Sequence, residues 1–69
     1  MKVQVRLTPR EKEIISLAAK GKTYDQIRGE LGISYETVCS HLKMIRSKMN
    51  VSKTFNAVAI AKSEGLISS

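Results

Sequence analysis

The sequence predicts an all-α domain of four helices, and three kinds of local signal support this prediction. Apolar residues recur at three- and four-residue intervals, which is the spacing of a helix with one buried face. Residues that favour helix starts precede these segments, and glycine or asparagine follows them. The predicted helices cover about residues 9–20, 24–31, 35–49 and 54–64.

Length and charge limit the classes of protein to consider. The 69 residues predict one domain, 1–69, with one small core. A hydrophobic content of 42% with a single proline disfavours disorder. The net charge is +6, from 12 Lys and Arg against 6 Asp and Glu, and the sequence pI is about 9.8. A basic domain of this kind favours an anionic partner, and DNA, RNA and a membrane surface are the candidates.

The single cysteine, Cys39, cannot form an internal disulfide, which fits a reducing compartment. No signal peptide and no apolar run of membrane-spanning length are visible in the sequence. We therefore expect a soluble cytoplasmic protein with no membrane partner.

The first predicted elements are an N-terminal arm and a core helix. Residues 1–7 alternate apolar and polar side chains, which predicts an extended arm whose Lys2 and Arg6 face phosphates. Thr8 is a good N-cap, with proline at the first helical position and Glu11 placed to complete a capping box. Gly21 is the predicted terminator of this helix.

The next two helices form a helix-turn-helix pattern. Thr23 and Gln26 predict a second capping box, and Gly32 predicts the turn before a third helix capped by Ser34. In the third helix one narrow apolar stripe contains Val38, Leu42, Ile45 and Met49.

The opposite face of the third helix is polar and has small side chains. At about 100° per residue, Glu36, Ser40, Lys43 and Ser47 lie opposite the apolar stripe. Cys39 and Arg46 lie on one flank of this face, and Thr37 and Met44 lie on the other. Short polar and basic side chains are what reading of the DNA major groove requires. On pattern alone, a solvated amphipathic helix in a small bundle is an equally good interpretation.

The last predicted helix has more apolar surface than one buried stripe needs. Asn50 predicts the end of the third helix, and Ser52 or Thr54 is the predicted N-cap of the fourth helix. Ala57, Val58 and Ala61 share one side of this helix. Phe55 and Ala59 lie nearly opposite that side, and Ile60 lies between the two. This additional apolar surface predicts a dimer interface, with a loosely covered terminal helix as the alternative.

Taken in order, these residues resemble the DNA-binding domain of the LuxR/FixJ family of bacterial transcription regulators. The match runs in register from about residue 7 to 67. It is carried by residues 7–11, Gly21, Gln26, Ile27, Leu31, Ile33, Ser34, Thr37, Val38, His41, Ile45, Lys48, Val51, Ala57, Val58 and 65–67. The resemblance implies a four-helix domain in which the third helix is the recognition helix and the fourth is the dimer contact.

The resemblance also implies where DNA is contacted. Its base-facing and phosphate-facing positions in the third helix fall on Cys39, Ser40 and Lys43, which overlap the polar face derived from angles. Three positions depart from the residues that are usual in the family. Cys39 replaces a common Lys, and Arg28 replaces a small Ala. Thr54 replaces a basic residue. One basic contact is therefore missing at Cys39.

The candidate sites divide into three sets. The base-facing set is Glu36, Cys39, Ser40 and Lys43, where Glu36 either accepts from cytosine N4 or rejects wrong registers. The phosphate-facing set is Lys22, Thr23, Thr37, Arg46 and Lys48, chosen at the ends and flanks of the motif. The dimer set is Phe55, Ala59 and Ile60.

Catalysis and metal binding find no support in the sequence. His41 has neither a second histidine nor paired cysteines to complete a metal site, so a packed, hydrogen-bonded role is expected. We also find no carboxylate pair, nucleophile with a base, or phosphate loop. No enzyme activity and no cofactor are expected.

Two function hypotheses remain. In the first, the protein binds specific double-stranded DNA as a homodimer on an inverted repeat and regulates transcription, with RNA polymerase as a possible further contact. It would be either free-standing or the C-terminal part of a longer regulator. In the second, the domain pairs with related regulators and blocks them.

Overall fold

A computed structural model of the chain describes residues 5–67. This part of the chain contains four helices and no strand: α1 (Pro9–Ala19), α2 (Tyr24–Leu31), α3 (Tyr35–Met49) and α4 (Thr54–Ser63). The predicted all-α, four-helix fold is therefore confirmed. Residues 1–4 of the predicted arm, including Lys2, lie outside the described residues.

Helices α1 and α2 begin with the predicted capping boxes. The Thr8 hydroxyl accepts a hydrogen bond of 3.1 Å from the Glu11 amide, and the Glu11 carboxylate accepts one of 2.9 Å from the Thr8 amide. Thr23 and Gln26 form the same reciprocal pair at 3.1 and 2.8 Å. These bonds satisfy amides that would otherwise lack an acceptor in the first turn, so they fix both helix starts.

The predicted helix ends are correct to within one residue. α1 ends at Ala19 and α4 at Ser63, each one residue earlier than predicted, with Lys20 and Glu64 as C-caps. α2 ends at Leu31 and α3 at Met49, as predicted. Their C-caps are Gly32 and Asn50, whose φ angles of 66° and 56° are left-handed. The Val51 amide then donates to the Arg46 carbonyl at 3.0 Å, which closes the last turn of α3.

The predicted N-cap of α4 is wrong. The N-cap is Lys53, without a side-chain cap bond, rather than Ser52 or Thr54. Thr54 lies inside the helix, and its hydroxyl bonds to side chains of α2 and α3 instead. The tertiary contacts of Thr54 therefore outweigh its tendency to cap a helix.

The core is built around α3, which packs against each of the other three helices. The predicted stripe of Val38, Leu42 and Ile45 is fully buried, and Met49 is nearly so. The remaining buried apolar residues are Ile14, Ile15, Ile27, Ala57, Ala61 and Ile67. Because one side of α3 is buried by three neighbours, its other side is held facing solvent.

The described part of the arm also packs onto this core. Val5 and Leu7 are half-buried against it, while Arg6 between them is exposed. The alternation of apolar and polar side chains therefore corresponds to alternating burial at residues 5–7.

Shortening a residue of the α3 stripe should destabilise the whole domain. Leu42→Ala removes buried methyl groups and leaves a cavity, so we expect a loss of about 2–5 kcal/mol in the free energy of unfolding. The measurement is urea denaturation followed by circular dichroism. Ser47→Ala, exposed on the same helix, is the control and should change stability by less than about 0.5 kcal/mol.

If Leu42→Ala does not fold, Ile45→Val tests the same idea with an expected loss of about 0.5–1.5 kcal/mol. An unfolding midpoint equal to that of Ser47→Ala would contradict the proposed central position of α3 in the core.

Candidate nucleic-acid interface

The outward face of α3 is polar, as the helical angles predict. Glu36, Ser40 and Lys43 are exposed, and Cys39 beside them is half-buried with a free thiol. All four project from one rigid helix whose other side is buried in the core. The geometry therefore presents a row of hydrogen-bonding side chains from a fixed support.

The start of α3 is held by Ser34. Its hydroxyl accepts from the Thr37 amide at 3.1 Å and lies 2.8 Å from the Thr37 hydroxyl. These bonds fix the Thr37 side chain on the half-buried flank of the helix. The predicted site residue Thr37 is thus ordered by local capping.

The start of α2 lies at the other end of the motif. The side chains of Thr23 and Gln26 there each accept a hydrogen bond from the other residue's backbone amide. The Lys22 ammonium lies 3.2 Å from the Glu30 carboxylate. Both side chains of that ion pair are more than a third exposed, so the pair is weak and exchangeable. Lys22 and Thr23 therefore remain accessible at a helix N-terminus, where the backbone dipole favours anions.

Arg46 is turned toward α4. Its Nη1 donates to the Thr54 hydroxyl at 3.1 Å, and the Tyr24 hydroxyl lies 2.8 Å from the same oxygen. The Tyr24 ring in turn lies 6.0 Å from the Tyr35 ring, in a tilted arrangement. A phosphate role for Arg46 was predicted from its angle alone, whereas the structure gives its half-buried side chain a place in a junction of α2, α3 and α4.

Lys48 is turned toward α1. Its Nζ lies 2.6 Å from the Glu11 carboxylate and donates to the Arg6 carbonyl at 3.1 Å. The Glu11 side chain is only 5% exposed, and that of Lys48 is 31% exposed. The charge of Lys48 therefore neutralises a buried carboxylate in this structure, and its phosphate-facing role stays a prediction. This ion pair ties α3 to the start of α1 and to the arm.

The environment of Glu11 changes its acidity. Burial by itself raises the pKa of the carboxyl group. The hydrogen bond and the charge of Lys48, together with the hydrogen bonding of Thr8, outweigh burial and hold the pKa of Glu11 below its ordinary value of 4.5. Glu11 therefore stays charged and serves as both a helix cap and an ion-pair partner.

The predicted dimer surface lies on α4. Phe55 is 62% exposed, Ala59 is exposed and Ile60 is half-buried. Ala57 and Ala61 are fully buried on the other side of the helix. Phe55 and Ala59 are thus both accessible on the outward side of α4.

Comparison with known proteins identifies the family. The family model described as bacterial regulatory proteins, luxR family, matches residues 5–61, which is most of the chain. The chain belongs to the luxR family. This confirms the predicted resemblance, and the four helices are the DNA-binding helix-turn-helix domain of this family of transcription regulators, which are not enzymes.

Several luxR-family regulators are similar over most of this chain. The transcriptional regulatory protein DesR of Bacillus subtilis is 39% identical over 59 residues, which is 86% of this chain and 30% of DesR. The quorum sensing-dependent transcriptional regulator VjbR of Brucella abortus is 43% identical over 61 residues, which is 88% of this chain and 24% of VjbR. The chain thus spans less than a third of the length of these curated relatives.

Two solved structures share the fold. The crystal structure of Escherichia coli SdiA superimposes with a TM-score of 0.93 at 35% identity, covering 100% of this chain and 29% of SdiA. The response regulator ChrA of a heme-sensing two-component system gives a TM-score of 0.87 at 35% identity, covering 96% of this chain and 33% of ChrA. The match therefore concerns one domain of each longer protein.

Within residues 5–67 the luxR-family domain shows neither a group of three or more His, Cys, Asp and Glu side chains placed for a metal nor a helix long and apolar enough to cross a membrane. His41 is half-buried on α3.

Two sets of contacts escaped the sequence reasoning: the ion pair of Glu11 with Lys48, and the junction of Tyr24, Arg46 and Thr54. A signal for the second set was present, since Thr54 stands where a basic residue is usual in the family. In this chain a basic side chain reaches that position from α3 instead.

The Glu11 ion pair should make stability depend on pH in the acid range. Because the pKa of Glu11 is lower in the folded protein than its ordinary 4.5, its contribution is fully present above pH 4.5. That contribution is lost as the pH falls through the lower, folded-state pKa. We expect Glu11→Gln to flatten the slope of unfolding free energy against pH below 4.5.

The measurement is urea denaturation at a series of pH values, with Glu13→Gln, an exposed position of α1, as the control. An unchanged slope in Glu11→Gln, equal to that of Glu13→Gln, would contradict the assignment.

Proposed function

We propose that this luxR-family domain binds specific double-stranded DNA in the bacterial cytoplasm and regulates transcription, with α3 in the major groove. One observation carries the proposal: the exposed face of α3 that contains Glu36, Ser40 and Lys43 lies directly opposite its buried stripe. A major groove about 12 Å wide admits one α-helix, and such a face would meet the base edges.

Base reading is assigned to the outward residues by their chemistry. Lys43 donates to guanine O6 and N7, and Ser40 serves either a donor or an acceptor on a base edge. Glu36 accepts a hydrogen bond from the cytosine N4 amino group, or its charge disfavours binding of the protein in a wrong register on the DNA. Cys39 contributes a small side chain that permits close approach without a basic contact.

Phosphate binding is assigned to Lys22, Thr23 and Thr37, which lie at the starts of α2 and α3. The first-turn amides that the capping side chains leave free, and the positive end of the helix dipole, attract a DNA phosphate. Arg46 and Lys48 support the interface in a different way. Their contacts with Thr54 and Glu11 hold the two flanks of α3, so we assign them the orientation of the helix rather than direct contact.

A homodimer through α4 completes the proposal. Phe55 and Ala59 are exposed on one side of α4 and the half-buried Ile60 lies beside them, and a second copy would cover these residues by two-fold symmetry. Two reading helices related by a two-fold axis match an inverted repeat whose half-sites are about one DNA turn apart. RNA polymerase is a further candidate partner of the bound dimer.

The same α4 surface supports a second candidate function. A luxR-family domain that pairs through Phe55 with a related regulator would form a mixed dimer and block that regulator. The replacement of the common basic residue by Cys39 favours this alternative, because it removes one contact from the DNA face.

The proposal is tested by selecting bound duplexes from a random DNA pool at low and near-physiological salt, followed by sequencing. Enrichment of an inverted repeat that survives the higher salt supports a dimeric regulator and supplies its operator. Binding that is salt-sensitive and without sequence pattern contradicts base reading by α3, because it reports only phosphate attraction. The mixed-dimer function would then be tested by copurification with a related regulator.

Two lysines should affect DNA binding differently. Lys43→Ala should reduce the preference for the selected operator over unrelated DNA by about 1–3 kcal/mol, since it removes a base contact. Lys22→Ala should weaken binding to all DNA sequences alike, since it removes a phosphate contact. It should also lower the slope of log affinity against log salt concentration by about one. Fluorescence anisotropy titrations at several salt concentrations measure both quantities.

The control for these lysines is Lys12→Ala, exposed on α1 and remote in sequence from the motif. Equal effects of Lys43→Ala on operator and unrelated DNA would exclude Lys43 as a base-reading residue.

A charge at Phe55 should prevent dimer formation. Phe55→Asp places a carboxylate in the proposed apolar interface, and we expect the apparent mass in sedimentation equilibrium to fall to that of a monomer. Met44→Asp is the matched control, because it puts the same charge on an exposed apolar residue of another helix. A wild-type monomer at all concentrations, or a dimer that both variants preserve, would contradict the α4 interface.

A further inference from the structure

Three large apolar side chains are exposed in the described part of the chain: Tyr35 at 48%, Met44 at 53% and Phe55 at 62%. Two of them have an explanation. The Tyr35 ring packs beside the Tyr24 ring with centroids 6.0 Å apart, and Phe55 lies on the proposed dimer surface of α4. Met44 is explained by neither the fold nor the dimer.

Met44 lies at the edge of the proposed DNA-reading face. It follows Ser40 by four residues and precedes Ser47 by three, so it neighbours both on the surface of α3. It directly follows Lys43, while the buried Leu42 and Ile45 point the other way. At about 100° per residue Met44 is about 40° from Ser40, whereas it is more than 90° from the centre of the buried stripe.

We propose that Met44 is a specificity-determining residue that contacts the C5-methyl group of thymine in the major groove. This inference rests on the proposed DNA binding by α3 and deepens it. Thymine is the one standard DNA base that presents a methyl group in that groove, and apolar side chains are its natural partners. Methionine suits the role because its unbranched, polarisable chain adapts to the shape of its partner.

The polar residues beside Met44 do not supply this discrimination. Ser40 bonds to many base edges, and Lys43 prefers guanine. An apolar contact at the edge of the same face would add a preference for an A·T pair next to the positions that these residues read. It would also give a reason for leaving a large apolar side chain half exposed on a basic domain.

The size of the effect follows from the burial of one methyl group. Burial of one such group contributes a free energy of about 0.8 kcal/mol, so removing the thymine methyl group from one half-site should lower the affinity about fourfold. If both half-sites of an inverted repeat are changed together, the losses multiply to about sixteenfold.

The test uses the operator obtained from the selection and replaces its thymines one at a time by deoxyuridine, which lacks only the methyl group. Wild-type protein should lose about fourfold in affinity at one thymine in each half-site and little at the others. Met44→Ala should bind the thymine and deoxyuridine duplexes equally at that position. Met44→Leu, which keeps an apolar side chain, should retain most of the preference for thymine.

Lys12→Ala is the matched control for the variants, and melting curves should show that Met44→Ala is as stable as wild type, since the side chain is exposed. No effect of deoxyuridine on wild-type binding, or an effect that persists in Met44→Ala, overturns the inference while operator binding stands. Failure to select any operator overturns the proposed function first, and this inference with it.

Discussion

The structure depends above all on the burial of one side of α3. Val38, Leu42 and Ile45 are fully enclosed by α1, α2 and α4, so the bundle has its core on one side of a single long helix. Rotating α3 would expose this stripe and cost several kcal/mol for each large side chain. The direction in which the polar face points is therefore a consequence of core packing, and the residues of that face are free to vary without disturbing the fold.

Two side-chain links then hold the flanks of α3. On one flank Lys48 binds the buried Glu11, and on the other Arg46 binds Thr54, which also meets Tyr24. The second link has a particular geometric value, because α2 and α4 share no close backbone contact and meet through these side chains. Two basic residues of α3 thus make contacts inside the domain, and Lys48 in particular pairs a buried carboxylate that would be costly to leave unpaired. Lys43 remains on the outward face as the charge available for a base.

Local signals made most of the fold predictable, and distant contacts account for what was missed. The capping boxes at Thr8 and Thr23 and the turn at Gly32 involve residues close in sequence, so composition and spacing reveal them. The ion pair of Lys48 with a residue 37 positions earlier depends on how the helices pack, which one helix pattern does not encode. For the same reason the N-cap of α4 was wrongly predicted: Thr54 was chosen for its capping tendency, but it begins the helix and its tertiary partners decide its role. Angles alone predicted which residues of α3 are exposed, whereas their contacts with DNA remain proposals.

The small size of the polar face bears on the proposed dimer. Each good base contact discriminates against a wrong base by about 1–3 kcal/mol, and specific sites are usually bound about 4–10 kcal/mol more tightly than unrelated DNA. In the proposed complex one copy of α3 would offer a few such contacts, and Cys39 would add no charge to them, so a single domain would reach only the lower part of that range. A second copy doubles the number of base contacts without any change in the fold. The α4 surface around Phe55 would supply the second copy, and the modest reading face of α3 thereby gives a functional reason for an apolar surface that the fold itself does not require.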